Sequence, residues 1–149
     1  MALGGIHLHG KTPLHFVWNT LTGVMYRDEI VRPLIIPTLQ AMEAGATHMD
    51  DNATAHRDRE VNKVLEQQQA QRRDWSSRSP DLNPTVNCWG LLEHRIQNNH
   101  PPVADLQELS QILQQEWSAM PQQALVTLIR SIRQRFTENM AAFGESTHY

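Results

Sequence analysis

Two adjacent acidic residues, Asp50 and Asp51, are the side chains of this sequence that most clearly could do chemistry. They end a strand candidate over residues 46–51, and carboxylates are the oxygen ligands that Mg²⁺ prefers. Because neighbouring residues on a strand point to opposite faces, only one of the two can face a common metal site without a bend. The alternation alone does not say whether Asp50 or Asp51 faces it. Asp50 could add a weak second ligand, although a solvated strand end is the favoured interpretation for its carboxylate.

The other candidate metal ligands are histidines near the start of the chain and a single cysteine. A His-x-His pair on a hairpin, His7 and His9, places both rings on one face, and with His15 a zinc site is conceivable. No fourth ligand is evident, so ordinary surface histidines are the favoured alternative. Cys88 is interpreted as a buried structural thiol, because no disulfide is possible with one cysteine.

Arginines form the second group of interest, because their guanidinium groups suit phosphate. The formal net charge is −3, whereas a dedicated nucleic-acid-binding domain is usually basic, so any DNA contact must come from a local patch. A solvated or ion-paired face is the alternative, and the net acidity favours it. The candidates are Arg72, Arg73 and Arg78 around Trp75, and Arg130, Arg133 and Arg135 on the last helix.

Hydrophobic periodicity and turn residues predict the elements that must position these side chains. Asn83 followed by Pro84 is typical of a helix start, as is Asp105 with Glu108 three residues later. The predicted elements are a β-hairpin over 2–17 with its turn at 9–11, a helix over 26–43 kinked by two prolines, a strand over 46–51, a helix over 57–69, a strand ending at 74–75, a loop over 76–84, and helices over 84–98, from 105, and over 121–144.

Further packing follows from the same periodicity. Val86, Trp89, Leu92 and Ile96 are expected to be the buried face of the helix that begins at Pro84. The face expected to be buried in the next helix carries Leu106, Leu109, Leu113 and Trp117. The order of elements predicts one α/β domain over 1–149, a mixed sheet with flanking helices, and a helical C-terminal part over 103–144.

The length of 149 residues is enough for one domain with a hydrophobic core. No apolar run reaches the roughly 18 residues that cross a bilayer, and the first ten residues have neither the basic nor the apolar region of a signal peptide. The sequence therefore predicts an intracellular protein without a membrane partner.

Several motifs resemble those of the mariner-type (Tc/mariner superfamily) DDE transposases, in their C-terminal catalytic domain. The likeness extends over essentially all of the chain. The motifs are Gly4-Gly5-Ile6 with Gly10, the segment Tyr26 to Ile30, Asp51-Asn52-Ala53 with His56, Arg78-Ser79-Pro80-Asp81-Leu82-Asn83-Pro84 with Trp89, and the end Thr147-His148-Tyr149. The resemblance implies a ribonuclease H-like fold in which three carboxylates hold two Mg²⁺ or Mn²⁺ ions for phosphodiester cleavage.

Only one of the three acids is retained where the resemblance places them. Asp51 matches the second acid, and 34 residues separate it from Val86, which occupies the position of the third. The first acid of the family lies on a strand before the Gly-Gly hairpin, at which this chain begins. We therefore expect an N-terminally truncated, degenerate domain that lacks the first strand, with Asp51 a relic and no metal bound tightly.

These expectations define the functional hypotheses. The first is a transposase-derived, DNA-binding pseudoenzyme whose ancestral role was DNA transposition and integration, working in the nucleus as the resemblance implies. The second is a protein-interaction module that forms homo-oligomers through an exposed sheet edge or the C-terminal helices. The third is the non-functional product of a decayed transposable element.

Overall fold

The computed structural model describes residues 1–42, 46–51, 53–74 and 83–144. The chain divides into two compact units, residues 1–4 with 12–78 and residues 5–11 with 79–149. Along the chain, strands and helices follow the predicted order, and the domain is mixed α/β as expected. No helix in the described part of the chain has the length and apolar character needed to cross a membrane.

The N-terminal hairpin forms as two short antiparallel strand pairs. Strand β1 (Ala2–Leu3) pairs with β4 (His15–Phe16), and β2 (Ile6–His7) pairs with β3 (Gly10–Lys11). The turn therefore lies between His7 and Gly10, two residues earlier than predicted, because Gly10 is itself a paired strand residue. A side chain at Gly10 would press on the His7 ring, so glycine there leaves room for the imidazole.

In the first unit, a continuous helical segment follows the hairpin. It consists of α1 (Gly23–Met25), a π-helical stretch (Tyr26–Ile35) and α2 (Ile36–Ala41). The hydroxyl of Thr22 caps its start by accepting a hydrogen bond from the Met25 amide at 3.2 Å. The segment begins three residues before the predicted start. Wide i→i+5 bonding accompanies Pro33, which cannot donate to the helix ladder.

A β–α–β unit completes the first unit. Strand β5 (Thr47–Asp50) pairs in parallel with β6 (Gln71–Asp74), and α3 (Arg59–Gln67) connects them. The carboxylate of Asp58 caps α3 by accepting from the Glu60 amide at 2.8 Å. The helix buries Val61, Val64 and Leu65, as its periodicity predicts. The core of this unit consists of Tyr26, Ile30, Val31, Ile36, Ala55, Val61, Val64 and Leu65.

The second unit contains three helices: α4 (Pro84–Asn99), α5 (Leu106–Ala119) and α6 (Gln122–Gly144). Both predicted caps are confirmed, because Asn83 accepts from the Thr85 amide at 2.9 Å and Asp105 from the Glu108 amide at 2.8 Å. Two predictions of burial are wrong. Val86 is 55% exposed and Leu106 is 70% exposed, since the buried faces of α4 and α5 begin further along each helix.

Residues from all three helices form the core of the second unit. Cys88, Leu92, Trp117, Met120 and Leu125 are all buried, and the Cys88 Sγ lies 3.7 Å from the Met120 Sδ. Burial raises the pKa of the Cys88 thiol to about 11, which keeps it protonated and unreactive at neutral pH. The prediction of a buried structural thiol is confirmed.

Candidate functional site

Asp50, at the end of β5, is buried in an ion pair. Its side chain is 6% exposed, and the Arg72 Nη2 donates to both of its carboxylate oxygens at 2.8 Å. The His48 Nε2 lies 3.2 Å from the Asp50 Oδ2. Burial acts to raise the pKa of this carboxyl, but hydrogen bonds with His48 and Arg72 outweigh it and leave the pKa lowered. The expected solvated strand end is wrong, because the parallel partner strand brings an arginine onto the same face.

Arg72, on β6, directs its guanidinium into the first unit. Its side chain is 11% exposed. Besides Asp50, Nη1 donates to the Asn62 Oδ1 at 2.6 Å and Nη2 donates to the His56 carbonyl at 2.8 Å. The guanidinium is therefore engaged by three residues of its own chain, and this geometry favours the ion-paired alternative for Arg72 over a phosphate contact.

Asp51 is the acidic residue of this cluster that faces solvent. Its side chain is 64% exposed. The Oδ1 atom accepts a hydrogen bond from the Ala53 amide at 3.0 Å, which closes a turn immediately after β5. The same oxygen lies 2.7 Å from the His56 Nδ1, close enough for an ion pair but without hydrogen-bond geometry, since both ring nitrogens of His56 are buried without a hydrogen-bond partner among the described residues.

Tyr26 forms the inner wall of this cluster and was not singled out as a site residue. Its ring is 3% exposed and lies 4.2 Å from the His56 ring, centroid to centroid. Burial raises the pKa of its hydroxyl well above the ordinary value, and the charge of Asp50 and a hydrogen bond with it add to the shift. The signal that could have identified Tyr26 is its place at the start of one of the recognised segments.

The position of the third family acid lies on the first turn of α4, in the second unit. Val86 occupies it, and the first turn of α4 contains no acidic residue. Glu93 is two turns further along α4, where its carboxylate accepts from Gln97. The position that the resemblance assigns to the third acid thus carries an exposed apolar side chain.

The described residues do not fit a two-metal centre. Mg²⁺ and Mn²⁺ require several oxygen ligands, and paired ions require carboxylates that several elements bring together. The oxygens of Asp50 are taken by Arg72, the side chain of Val86 has no oxygen, and Asp51 presents one exposed carboxylate. Within the ranges that the structure describes, no three His, Cys, Asp or Glu side chains are grouped so as to hold a metal ion.

The three N-terminal histidines are not brought together as one ligand set. His7 and His9 belong to the second unit, where burial, and to a smaller extent the charge of His9, lower the pKa of His7. His15 belongs to the first unit and pairs with Glu29 at 2.8 Å. The contact with Glu29 is of the kind expected for an ordinary surface histidine.

Of the remaining arginine candidates, the structure describes the side chains of two. Arg73 is exposed on β6, next to the engaged Arg72, and Arg130 is exposed on α6. Arg78 and the side chains of Arg133 and Arg135 lie outside the described residues. Arg73 and Arg130 are therefore the two candidates whose side chains the structure leaves open to a phosphate.

The amino-acid sequence is similar to those of known transposases. No family model matches the chain. It is 30% identical over 149 residues to the Tc3 transposase of Caenorhabditis elegans, covering 100% of this chain and 45% of that protein. It is 32% identical over 137 residues to the Tc1 transposase of the same organism, covering 92% and 50%. The chain thus spans about half the length of the curated relatives it matches.

Solved structures give the fold. A crystal structure of the Mos1 mariner transposase catalytic domain superposes with a TM-score of 0.67 at 18% identity, over 87% of this chain and 65% of that one. The structure of the same catalytic domain with raltegravir and Mn gives 0.68 at 16% identity, over 99% and 82%. The chain is thus similar to the Tc1 and Tc3 transposases over about half of their length, and it has the ribonuclease H-like fold of the mariner transposase catalytic domain.

Proposed function

We propose that this transposase-derived domain associates weakly with DNA and does not cleave it. The observation that carries the proposal is the sequestered carboxylate of Asp50. Because Arg72 engages both oxygens of Asp50, Asp50 cannot replace the third acid of the family, whose position is occupied by Val86. Asp51 is then the one exposed carboxylate on the described surface of this cluster, and we interpret it as a relic of a metal site.

The chemistry of the family explains why this loss is decisive. In-line attack on a phosphodiester relies on two divalent ions about 3.5–4 Å apart, which stabilise the attacking and the leaving oxygen. One carboxylate cannot hold two such ions in a fixed geometry. Without that pair of ions, the attacking water is not activated and the leaving oxygen is not stabilised.

Incubation of the chain with labelled duplex DNA in Mg²⁺ or Mn²⁺ tests the absence of cleavage. We expect no nicking above the background of the Asp51→Ala variant, because the residual ligand set is too small. Asp28→Ala is the matched control, since Asp28 is an exposed aspartate of the same unit that pairs with Arg27 and Arg32. Metal-dependent nicking that Asp51→Ala abolishes and Asp28→Ala preserves would refute the proposal.

The DNA association rests on the exposed Arg73 and Arg130 together with the descent from transposases. Its site of action would be the nucleus, where chromosomal DNA is found in a eukaryotic cell. A net charge of −3 predicts that the affinity is low and comes from local contacts.

A second candidate is self-association. In the described part of the chain β5 and β6 form a two-stranded sheet, and a sheet edge is a surface to which a second chain can add a strand. Exposed Leu106 adds apolar surface on α5. Sedimentation equilibrium would distinguish the candidates, because a monomer at micromolar concentration that binds DNA in a salt-sensitive way would exclude an oligomerisation module.

A further inference from the structure

The turn that carries Asp51 is fastened at both of its ends by one side chain. Asp50 precedes Asp51, and His56 lies five residues beyond it. We propose that Arg72 is a positioning residue that fixes this turn and thereby the direction in which the Asp51 carboxylate is presented. The inference concerns the geometry of the turn, so it stands or falls independently of DNA association and cleavage.

The Arg72 guanidinium contacts both ends of the turn, and its Nε also donates to the Asp50 Oδ1 at 3.2 Å. The Arg72 Nη2 donates to the Asp50 carboxylate at 2.8 Å and to the His56 carbonyl at 2.8 Å. The Nη1 atom of the same group donates to the Asn62 Oδ1 at 2.6 Å, which ties the guanidinium to α3. The planar guanidinium thus joins the end of β5, the end of the turn and the following helix in one arrangement.

Tyr26 packs against the same turn. Its ring lies 4.2 Å from the His56 ring, centroid to centroid, and is buried. His56 in turn places its Nδ1 2.7 Å from the Asp51 Oδ1, which also accepts from the Ala53 amide. Moving the His56 backbone would therefore move the imidazole against which the Asp51 carboxylate rests.

The parallel register explains why Arg72 and not its neighbour takes this role. His48 is the register partner of Arg72, and side chains alternate along a strand, so His48, Asp50 and Arg72 share one face of the β5–β6 pair. Arg73 lies on the other face and is exposed. A lysine at position 72 could still pair with Asp50, but an ammonium on a flexible chain cannot reproduce the planar set of contacts to three residues.

Three variants of the full chain test the inference by NMR. Arg72→Lys keeps the charge, the double variant Asp50→Asn with Arg72→Gln removes both buried charges together, and Arg73→Gln is the matched control on the adjacent, exposed position. Two signals report the turn: the exchange rate of the Ala53 amide, and the ring-current shift that Tyr26 imposes on the His56 ring protons. The exchange rate of the Val61 amide reports the stability of the unit, because Val61 is fully buried in α3.

We expect both changes at position 72 to accelerate exchange at Ala53 at least about ten-fold and to reduce the His56 shift. Val61 exchange should stay within about two-fold of the unaltered chain, and Arg73→Gln should leave all three signals unchanged. A parallel change at Ala53 and Val61 would mean that Arg72 only contributes to global stability, and the inference would be overturned. Unchanged Ala53 and His56 signals in both position-72 variants would overturn it equally.

Discussion

At the scale of single residues, the site is defined by how two neighbouring carboxylates are used. Asp50 is buried and paired with Arg72, whereas Asp51 is exposed and accepts from the turn that follows it. A buried ion pair gains little net stability over apolar residues, but removing one partner leaves an unpaired buried charge. Asp50 therefore has a structural role, and of these two acids it is Asp51 that has the exposure a ligand needs.

Val86→Glu is the substitution that restores the family acid, and we expect it to restore no cleavage. Asp51 and the new carboxylate are still fewer than the three that the chemistry uses, since Asp50 is engaged. The change should not destabilise the fold, because Val86 is 55% exposed. A carboxylate near a helix N-terminus stabilises the folded state by about 0.3–1 kcal/mol. Nicking assays and urea unfolding measure the two effects. Metal-dependent nicking by this variant would show that a further acidic residue supplies the third carboxylate.

At the scale of the elements, close approach and charge pairs decide how the helices dock. In the first unit, Gly23 at the start of α1 meets the side chain of Asp58, which caps α3. In the second unit, Glu116 on α5 accepts from Arg95 at 2.8 Å and from Asn99 at 3.2 Å, and lies 2.9 Å from the His100 Nε2. These contacts fix α1 against α3 and α5 against α4, respectively.

Gly23 and Gly90, each within a helix, predict opposite effects of alanine. Gly23→Ala should destabilise the chain by about 1–3 kcal/mol, because the added methyl group would overlap the Asp58 side chain and displace the cap. Gly90→Ala is the matched control on α4, where nothing lies within 4 Å of an added Cβ. It should stabilise by about 0.5–1 kcal/mol through helix propensity. Equal changes of the urea midpoint in the two variants would contradict the close approach.

Glu116 predicts a pH dependence of stability. Its hydrogen bond with His100 is the largest cause that lowers the pKa of the carboxyl; burial opposes this, and Asn99 and Arg95 add to the lowering. A lowered pKa in the folded state means that the stabilisation is present above the ordinary glutamate pKa of about 4.3 and is lost as pH falls through the folded-state value.

Glu116→Gln should therefore unfold at lower urea than the unaltered chain at pH 7, with a smaller difference at pH 3. Glu93→Gln is the control, because Glu93 is an exposed residue of α4 whose carboxylate bonds to Gln97. A difference between Glu116→Gln and the unaltered chain that is the same at both pH values would show that the ionised carboxylate contributes nothing.

At the scale of the whole molecule, the acidic balance and the few open arginines limit any binding of DNA. The net charge is −3, and the side chain of Arg72, one of the candidate contacts, is used internally. Association that depends on phosphates weakens with salt, because bound counterions are released on binding. The molecule is therefore expected to bind DNA through few contacts. Contacts of charged side chains with phosphates do not distinguish one base sequence from another, so no sequence preference is expected from them.

Fluorescence anisotropy with a labelled duplex at several salt concentrations measures this association. Arg73→Gln and Arg130→Gln should each reduce the slope of log affinity against log salt by about 0.9, the loss of one phosphate contact. Arg32→Gln is the control, since Arg32 is exposed but pairs with Asp28. Affinity that does not respond to salt, or an equal response of all three variants, would argue against these contacts.

The amino-acid sequence by itself determined the order of the elements, the helix caps and the register of the family motifs. Asn83 and Asp105 act through neighbours two or three residues away, so local pattern is sufficient to identify that kind of contact. The position of Val86 in the register of the third acid likewise follows from spacing along the chain. The α/β class follows from periodicity, which is also local.

Only the tertiary structure decided that Asp51 is exposed while Asp50 and Arg72 form a buried pair. Arg72 meets Asp50 because β6 pairs in parallel with β5, a contact between residues 22 positions apart that no local pattern encodes. The exposure of Val86 and Leu106 was mispredicted for the same reason, since periodicity gives the face of a helix but not where its neighbours begin. Burial depends on what packs against a side chain, and that is settled only when the elements are assembled.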